Sequence, residues 1–194
     1  MIKAKNLIVR GIMMYVHLFK KFSFSKDAEG HYMVTIVISK EDKEQIEAIK
    51  KAINAAYQEG VDGIWNGKEP KNFHNPLKDG DDKEDDTGVF TNCYYLTLKS
   101  KDAPEVVDQN LQPIIDSKQI YPGCIGNVSV AFIPYKAGGN YGISSLLQNA
   151  QLVKAGKRIG GGKKRAVDEF SVIKDEKEAE EIEGGKLPYD TTTE

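Results

Sequence analysis

Residues 31–40 alternate in hydropathy: Tyr32, Val34, Ile36 and Ile38 fall on one face, Met33, Thr35, Val37 and Ser39 on the other. A period of two marks a half-buried antiparallel strand. Before it, residues 7–24 are rich in β-branched and aromatic side chains and are broken by Gly11. This predicts a long, bent first strand, with the glycine permitting a bulge or tight curvature. Residues 27–30, Asp-Ala-Glu-Gly, supply the turn that pairs the two strands. The period then changes. Ile46, Ile49, Ile53, Ala56 and Tyr57 recur at helical spacing; Ser39 is placed to cap, with Asp42 three residues on, and Gly60 to end the run. Residues 39–59 therefore form the one substantial helix.

Residues 61–88 carry no period and are dominated by Gly, Asn, Pro and Asp, the composition of a long loop or insertion. Three further strands follow. Over 89–99, Phe90, Tyr94, Leu96 and Leu98 lie opposite Thr91, Cys93, Tyr95, Thr97 and Lys99. Over 125–135, Val128, Val130 and Phe132 alternate with Asn127, Ser129 and Ala131, and residues 143–153 make a weaker run. Between them Pro104 and Pro113 interrupt, leaving room for a short helix near 114–120. Five strands, one helix and no βαβ alternation argue against a parallel nucleotide-binding sheet. They suit a mainly β architecture, a small OB-fold-like barrel with the helix packed on it. Periodicity alone leaves a β-sandwich open.

A composition of 40% apolar and 29% charged residues is that of a soluble globular protein, and no stretch reaches the ~18 apolar residues of a membrane span. No signal-peptide cleavage pattern follows the start, so a cytoplasmic protein is expected. Cys93 and Cys124 both sit in apolar strand patterns and read as reduced core thiols.

Charge changes the picture. Residues 168–194 hold ten acidic side chains against three lysines, a net charge of −7, which leaves +5 on residues 1–167. Residues 79–86 hold six acids and one lysine. Set aside, they leave the body at +10. A basic body joined to an acidic tail suits a protein that binds a polyanion and carries its own competitor. The division expected is a binding domain over 1–173 and an acidic flexible tail over 174–194.

Several motifs fail on inspection. The run from Asp79 to Lys83 glances at a calcium loop but lacks glycine at the sixth position and glutamate at the twelfth, so a solvated acidic loop is the simpler reading. His17, His31 and His74 lie far apart in sequence, and neither they nor the cysteines have zinc-site spacing. Residues 156–165 resemble a P-loop superficially, but the glycine–lysine count is wrong. They read instead as a basic arm (Lys157, Arg158, Lys163, Lys164, Arg165), or simply a solvated linker. No nucleophile–base constellation, metal site or cofactor motif is visible, and a non-enzymatic protein is expected.

Aromatics interleaved with lysines are the remaining signal: Tyr15, Phe19, Lys20, Lys21 and Phe22 in the first strand, Tyr95, Lys99 and Lys101 at the third, and Tyr135, Lys136 and Tyr141 around the Gly138-Gly139 turn. Rings that stack on bases and lysines that track the backbone hold single-stranded nucleic acid. Aromatics in strands are also ordinary core residues, so the pattern weighs most at Tyr95 and Phe19, where an outward face and lysine coincide.

The chain resembles the single-stranded DNA-binding proteins of tailed bacteriophages, OB-fold proteins with an acidic C-terminal tail. The resemblance covers most of residues 1–173. It rests on the aromatic–lysine first strand, on the segment from Asn75 to Asp81, on Ile120-Tyr121-Pro122-Gly123-Cys124-Ile125-Gly126-Asn127-Val128, and on residues 139–144 leading to Leu152 and Gly156. It implies sequence-tolerant binding of single-stranded DNA in phage replication, recombination or repair, in the cytoplasm of the bacterial host. Dimers are common in such families, so a homodimer is a candidate state. The tail acids Asp175, Glu176, Glu178, Glu180, Glu181 and Glu183 would contact polymerase, helicase or recombination proteins. Related tails often finish on an aromatic residue, whereas here Tyr189 is followed by five more residues. Two other classes stay open: a protein–protein adaptor of the replication machinery, and a metal-dependent nuclease using residues 79–86.

Overall fold

The structure, a computed structural model, describes residues 6–160 except 24, 26 and 27. Its strands are β1 (Asn6–Phe22), β2 (His31–Ser39), β3 (Lys78–Asp79), β4 (Cys93–Ser100), β5 (Glu105–Val107), β6 (Ile125–Ala137) and β7 (Asn140–Lys154). One helix, α1 (Lys43–Asp62), joins β2 to the third barrel strand, and Ser117–Gln119 make a 3₁₀ turn in place of the short helix expected near 114–120. The sheet runs β3-β4-β2-β1-β6-β7-β5, and a further β4–β7 pairing closes it. The five long strands thus form a closed barrel in which β1 pairs with both β2 and β6, and β4 meets β7 in parallel. This is the expected mainly β, OB-like architecture.

Val9, Met13, Val34, Ile36, Leu96, Leu98, Val128, Val130, Ile143 and Leu147 fill the barrel. Ile46, Ile49, Ile53 and Ala56 bring the apolar stripe of α1 onto it. Asp42, and not Ser39, caps the helix: its carboxylate accepts from the Gln45 amide at 3.2 Å. Gly60 does not end it. The helix runs on to Asp62, and Gly60 is buried because a Cβ there would lie 2.9 Å from the Trp65 ring and from Pro134.

Three departures from the periodicity shape everything nearby. Gly11 sits in regular pairing with Gly126 of β6; a Cβ there would stand 2.2 Å from the Val37 carbonyl oxygen. The irregularities lie further on, between Met14 and His17 and between His17 and Phe22. Second, β2 is buried on both faces, not one: Met33, Thr35 and Val37 are covered as fully as Val34 and Ile36. Phe90 explains part of this. It does not share a face with Tyr94, Leu96 and Leu98, because β4 starts at Cys93 and Phe90 turns over the outside of the barrel onto Met14 and Val37. Third, residues 61–88 are no peripheral loop. Trp65 is 1% exposed and donates its indole N–H to the Tyr135 carbonyl at 3.0 Å, while Leu77 joins the main core.

Trp65→Ala should therefore cost about 3–5 kcal/mol, as a core truncation does, and not the few tenths expected of a loop residue. Urea denaturation followed by circular dichroism measures it.

Candidate nucleic-acid interface

β4 and β7 pair only at Lys99–Leu146 among the described residues. Beyond that bridge the strands part, and Ser145 Oγ donates across the gap to the Thr97 carbonyl at 3.0 Å. Residues 73–79 cover the opening. His74 bridges to Gly142 of β7 and β3 pairs Lys78 with Tyr95 of β4, so the insertion is stitched to both lips. The gap remains as a hollow of about 490 Å³ lined by His74, Lys78, Tyr95, Thr97, Lys99 and Tyr135, with Pro76 and the start of β7.

Three other hollows join it. One of about 390 Å³ has Tyr15, His17, Phe22 and Lys83 as its wall and Met33, Thr35 and Thr97 as its floor. On that floor Thr35 and Thr97 share a hydroxyl hydrogen bond of 2.9 Å. Another, about 630 Å³, runs past His31, Lys101 and Ser144. A fourth, about 480 Å³, lies against Phe73, Asn140 and Tyr141 and shares His74 and Tyr135 with the first. Lys99 lines the first three, and Tyr95 and Thr97 line two. The result is one branched groove across β1, β2, β4 and β7, with aromatic rings at both ends and lysines between.

Tyr15, Phe22, Tyr95, Lys99, Lys101, Tyr135 and Tyr141 all border this groove. Lys136 stands over the Tyr141 ring at 5.5 Å. Tyr15 is 44% exposed and holds φ at 48°. A left-handed backbone is costly for an aromatic residue and is found where a site requires the orientation it gives. It falls at the first irregularity of β1, which puts Tyr15 and His17 toward the groove. Phe22 stacks on His17 with ring centroids 4.4 Å apart. Burial pushes the His17 pKa down, favouring the neutral ring.

Phe19 does not belong here. It is half-buried against the main core, because the two shifts in β1 change which side chains face out. Lys20 and Lys21 are exposed but border none of these hollows, and Lys21 stands over the Tyr32 ring at 5.7 Å. Lys101 pairs with Glu29 at 2.8 Å on the surface. That bond lowers the Glu29 pKa and raises that of Lys101.

Lys157 and Arg158 are not part of a free arm. The Ile159 amide donates to the Pro122 carbonyl at 2.9 Å, and Ile159 packs on the outer cluster of Met14, Val37 and Phe90. The Tyr121 hydroxyl donates to the Gly156 carbonyl, and the Arg158 guanidinium lies 4.1 Å from the Tyr121 ring centroid. Gly123 faces this segment with φ at 107°, and a Cβ there would strike the Lys157 carbonyl. Lys163, Lys164 and Arg165, and the tail acids 175–183, lie outside the described residues.

The acidic run is also more than a solvated loop. Lys40 Nζ reaches Asp79 and Asp81, each at 2.6 Å, and Asp81 accepts the Asn92 amide at 2.8 Å. These bonds hold the pKa values of Asp79 and Asp81 below the usual carboxylate range and raise that of Lys40. His74, Lys78 and Lys83, all from the insertion, were missed because no local period marks them. Lys68, from the same segment, stands 5.1 Å from the Tyr141 ring centroid.

A five-stranded barrel with a ring-and-lysine groove is the architecture of an OB-type binding protein. Residues 3–182 match the family model described as Enterobacter phage Enc34, ssDNA-binding protein, and the chain belongs to that family. The single-stranded DNA-binding protein of bacteriophage Enc34 in complex with ssDNA aligns with a TM-score of 0.71 at 16% identity, over 81% of this chain and 91% of that one. Without that complex, the Enc34 protein aligns at 0.68 and 17% identity, over 87% and 92%. The gp2.5 single-stranded DNA binding protein encoded by bacteriophage T7 aligns at 0.56 and 19% identity, over 86% and 96%. At these identities the likeness is one of fold. No curated protein sequence matches the chain.

The Lys40 clamp generates a test. Depressed carboxylate pKa values mean that its contribution is present above the ordinary value of 3.8 and is lost as pH falls through the lowered values. The raised lysine keeps it intact until pH climbs past 10.5. In Lys40→Met at neutral pH, the protection factor of the Asn92 amide should fall while that of Leu98 holds. Wild type should lose the same protection only on acidification below 3.8.

Proposed function

We propose that this chain is a non-catalytic single-stranded DNA-binding protein of a bacteriophage, acting on strands exposed during replication, recombination or repair in the host cytoplasm. The observation that carries this reading is the groove bordered by Tyr15, Tyr95 and Tyr135 together with Lys78 and Lys99. Bases stack on the rings whatever their identity, since every base has a π face, and the ammonium groups follow the phosphates. An open groove bordered by rings suits one flexible strand with its bases turned in. Family membership supports the same substrate.

The tail acts as a competitor in this reading. On charge alone, the segment of net charge −7 from 168 onward is proposed to compete with a polynucleotide for the lysines of the body. Once displaced, Asp175, Glu176, Glu178, Glu180, Glu181 and Glu183 are available to replication or recombination proteins.

Anisotropy titration with labelled oligo(dT) and duplex at two salt concentrations is the primary test. Salt-sensitive preference for the single strand is expected, and no binding in either salt sinks the proposal in favour of a protein–protein adaptor. Tyr95→Ala should weaken oligo(dT) binding by about 1–3 kcal/mol, roughly 5- to 150-fold in Kd. Deleting residues 174–194 should tighten it, most at low salt where screening is least. Equal affinity of the truncated and full chains would remove the tail from the account.

A further inference from the structure

Lys83 is the one base in an acidic run, flanked by Asp82 and Glu84 with Asp79, Asp81, Asp85 and Asp86 close by in sequence. A lysine so placed would ordinarily pair with a carboxylate. It does not. Its ammonium stands 5.5 Å from the Tyr15 ring centroid, 5.1 Å from that of Phe90 and 5.9 Å from that of Tyr95. All three fall within cation–π range. Among the described residues its Nζ makes no ion pair and no side-chain hydrogen bond, so its N–H donors are committed to no protein acceptor.

The loop that carries it is built to hold this position. Lys40 fixes Asp79 and Asp81 at its start, and Asp81 ties it to Asn92 at its end. Gly80 donates to the Cys93 carbonyl at 2.8 Å and lies so close to the Phe90 backbone that a Cβ would meet its oxygen at 2.2 Å. Lys83 then donates its own amide to the Gly80 carbonyl. Asp85 is occupied locally, accepting from Thr87. The rings are ordered as well: Phe90 is 1% exposed and meets Tyr95 edge-on with centroids 5.2 Å apart.

We propose that Lys83 is a phosphate-contacting residue of the single-strand interface, parked over Tyr15, Phe90 and Tyr95 until a backbone phosphate arrives beside bases stacked on the two tyrosines. The proposal rests on the reading of the groove given above and adds a contact from the insertion. A ring face is a weak partner for an ammonium, so exchanging it for a phosphate oxygen costs little and gains a charge-assisted hydrogen bond. Asp82, Glu84 and Asp86 are exposed and repel phosphate on either side, which confines the contact to one position of the strand.

The test is an oligo(dT) titration of the full chain across a range of salt, comparing wild type with Lys83→Met, Lys83→Arg and Lys51→Met. Methionine keeps an unbranched apolar cover over Phe90 while removing the charge, and Lys51 is an exposed control on α1. Lys83→Met should weaken binding roughly three- to tenfold at low salt and lower the slope of log K against log salt by about 0.7, the share of one phosphate contact on a single strand. Lys83→Arg should keep the slope and Lys51→Met should leave it unchanged. An unaltered slope in Lys83→Met overturns the proposal, as does an equal loss in Lys51→Met, which would reduce the effect to net charge. Tighter binding by Lys83→Met also overturns it and makes Lys83 a plug over the rings. If wild type ignores oligo(dT) at low salt, the groove reading fails first and this contact fails with it; if wild type binds and only the slope prediction fails, the error lies in Lys83 alone.

Discussion

Closure of the barrel depends on the contact between β4 and β7, and among the described residues that contact is a single parallel bridge, Lys99–Leu146. Parallel pairing between strands that belong to two separate antiparallel arms is hard to extend, because the twist of each arm carries the strands apart. The seam therefore opens past the bridge, and its backbone polar groups need partners. Residues 73–79 provide them through His74–Gly142 and through β3 on β4. A sheet left fully paired there would present no hollow. The groove follows from an incomplete closure that a long insertion repairs from outside.

That arrangement explains why the insertion is anchored so firmly. Trp65 roots one end in the core, with Tyr141 edge-on to it at 5.8 Å and its N–H on the Tyr135 carbonyl. Phe90 roots the other end on the outer face of β1 and β2. The same two anchors set the rings at the two ends of the groove, Tyr135 and Tyr141 on one side, Tyr15 and Tyr95 on the other. Structural burial and ligand-facing geometry are thus produced by the same side chains. The charges follow the same division: Asp79 and Asp81 are consumed by Lys40 in fixing the loop, while Lys78, Lys83 and Lys99 line the surface.

Local pattern carried far in some places and failed in others for definite reasons. The alternation over β2, β4, β6 and β7 and the helical spacing from Ile46 to Ala56 were readable, because each element's phase is held by its own backbone period. For that reason Tyr95 and Lys99 were read as sharing one face of β4, and both line the same hollows. Phe19 was misplaced because a period of two holds no information beyond a bulge, and β1 has two irregularities between Met14 and Phe22. Phe90 looked like a strand residue because its neighbours in sequence are apolar and aromatic; only the start of β4 at Cys93 shows that it belongs to the covering loop. Lys157 and Arg158 read as an arm because glycines flank them, yet Gly156 packs on the Gly123 carbonyl and Gly123 on the Lys157 carbonyl.

Legible from the residues alone were the five long strands, the helix, the separation of a basic body from an acidic end and the family resemblance. All of these are properties of short windows or of composition. Which residues share the groove follows only from how the elements come together. Tyr15, His74, Lys83, Tyr95 and Tyr135 come from four separate stretches, β1, the insertion, β4 and β6, and they meet only because the barrel closes at one bridge and the insertion folds back across the gap. Contacts made across such separations have no signature in any single stretch of chain; they appear once the backbone has spent its hydrogen bonds.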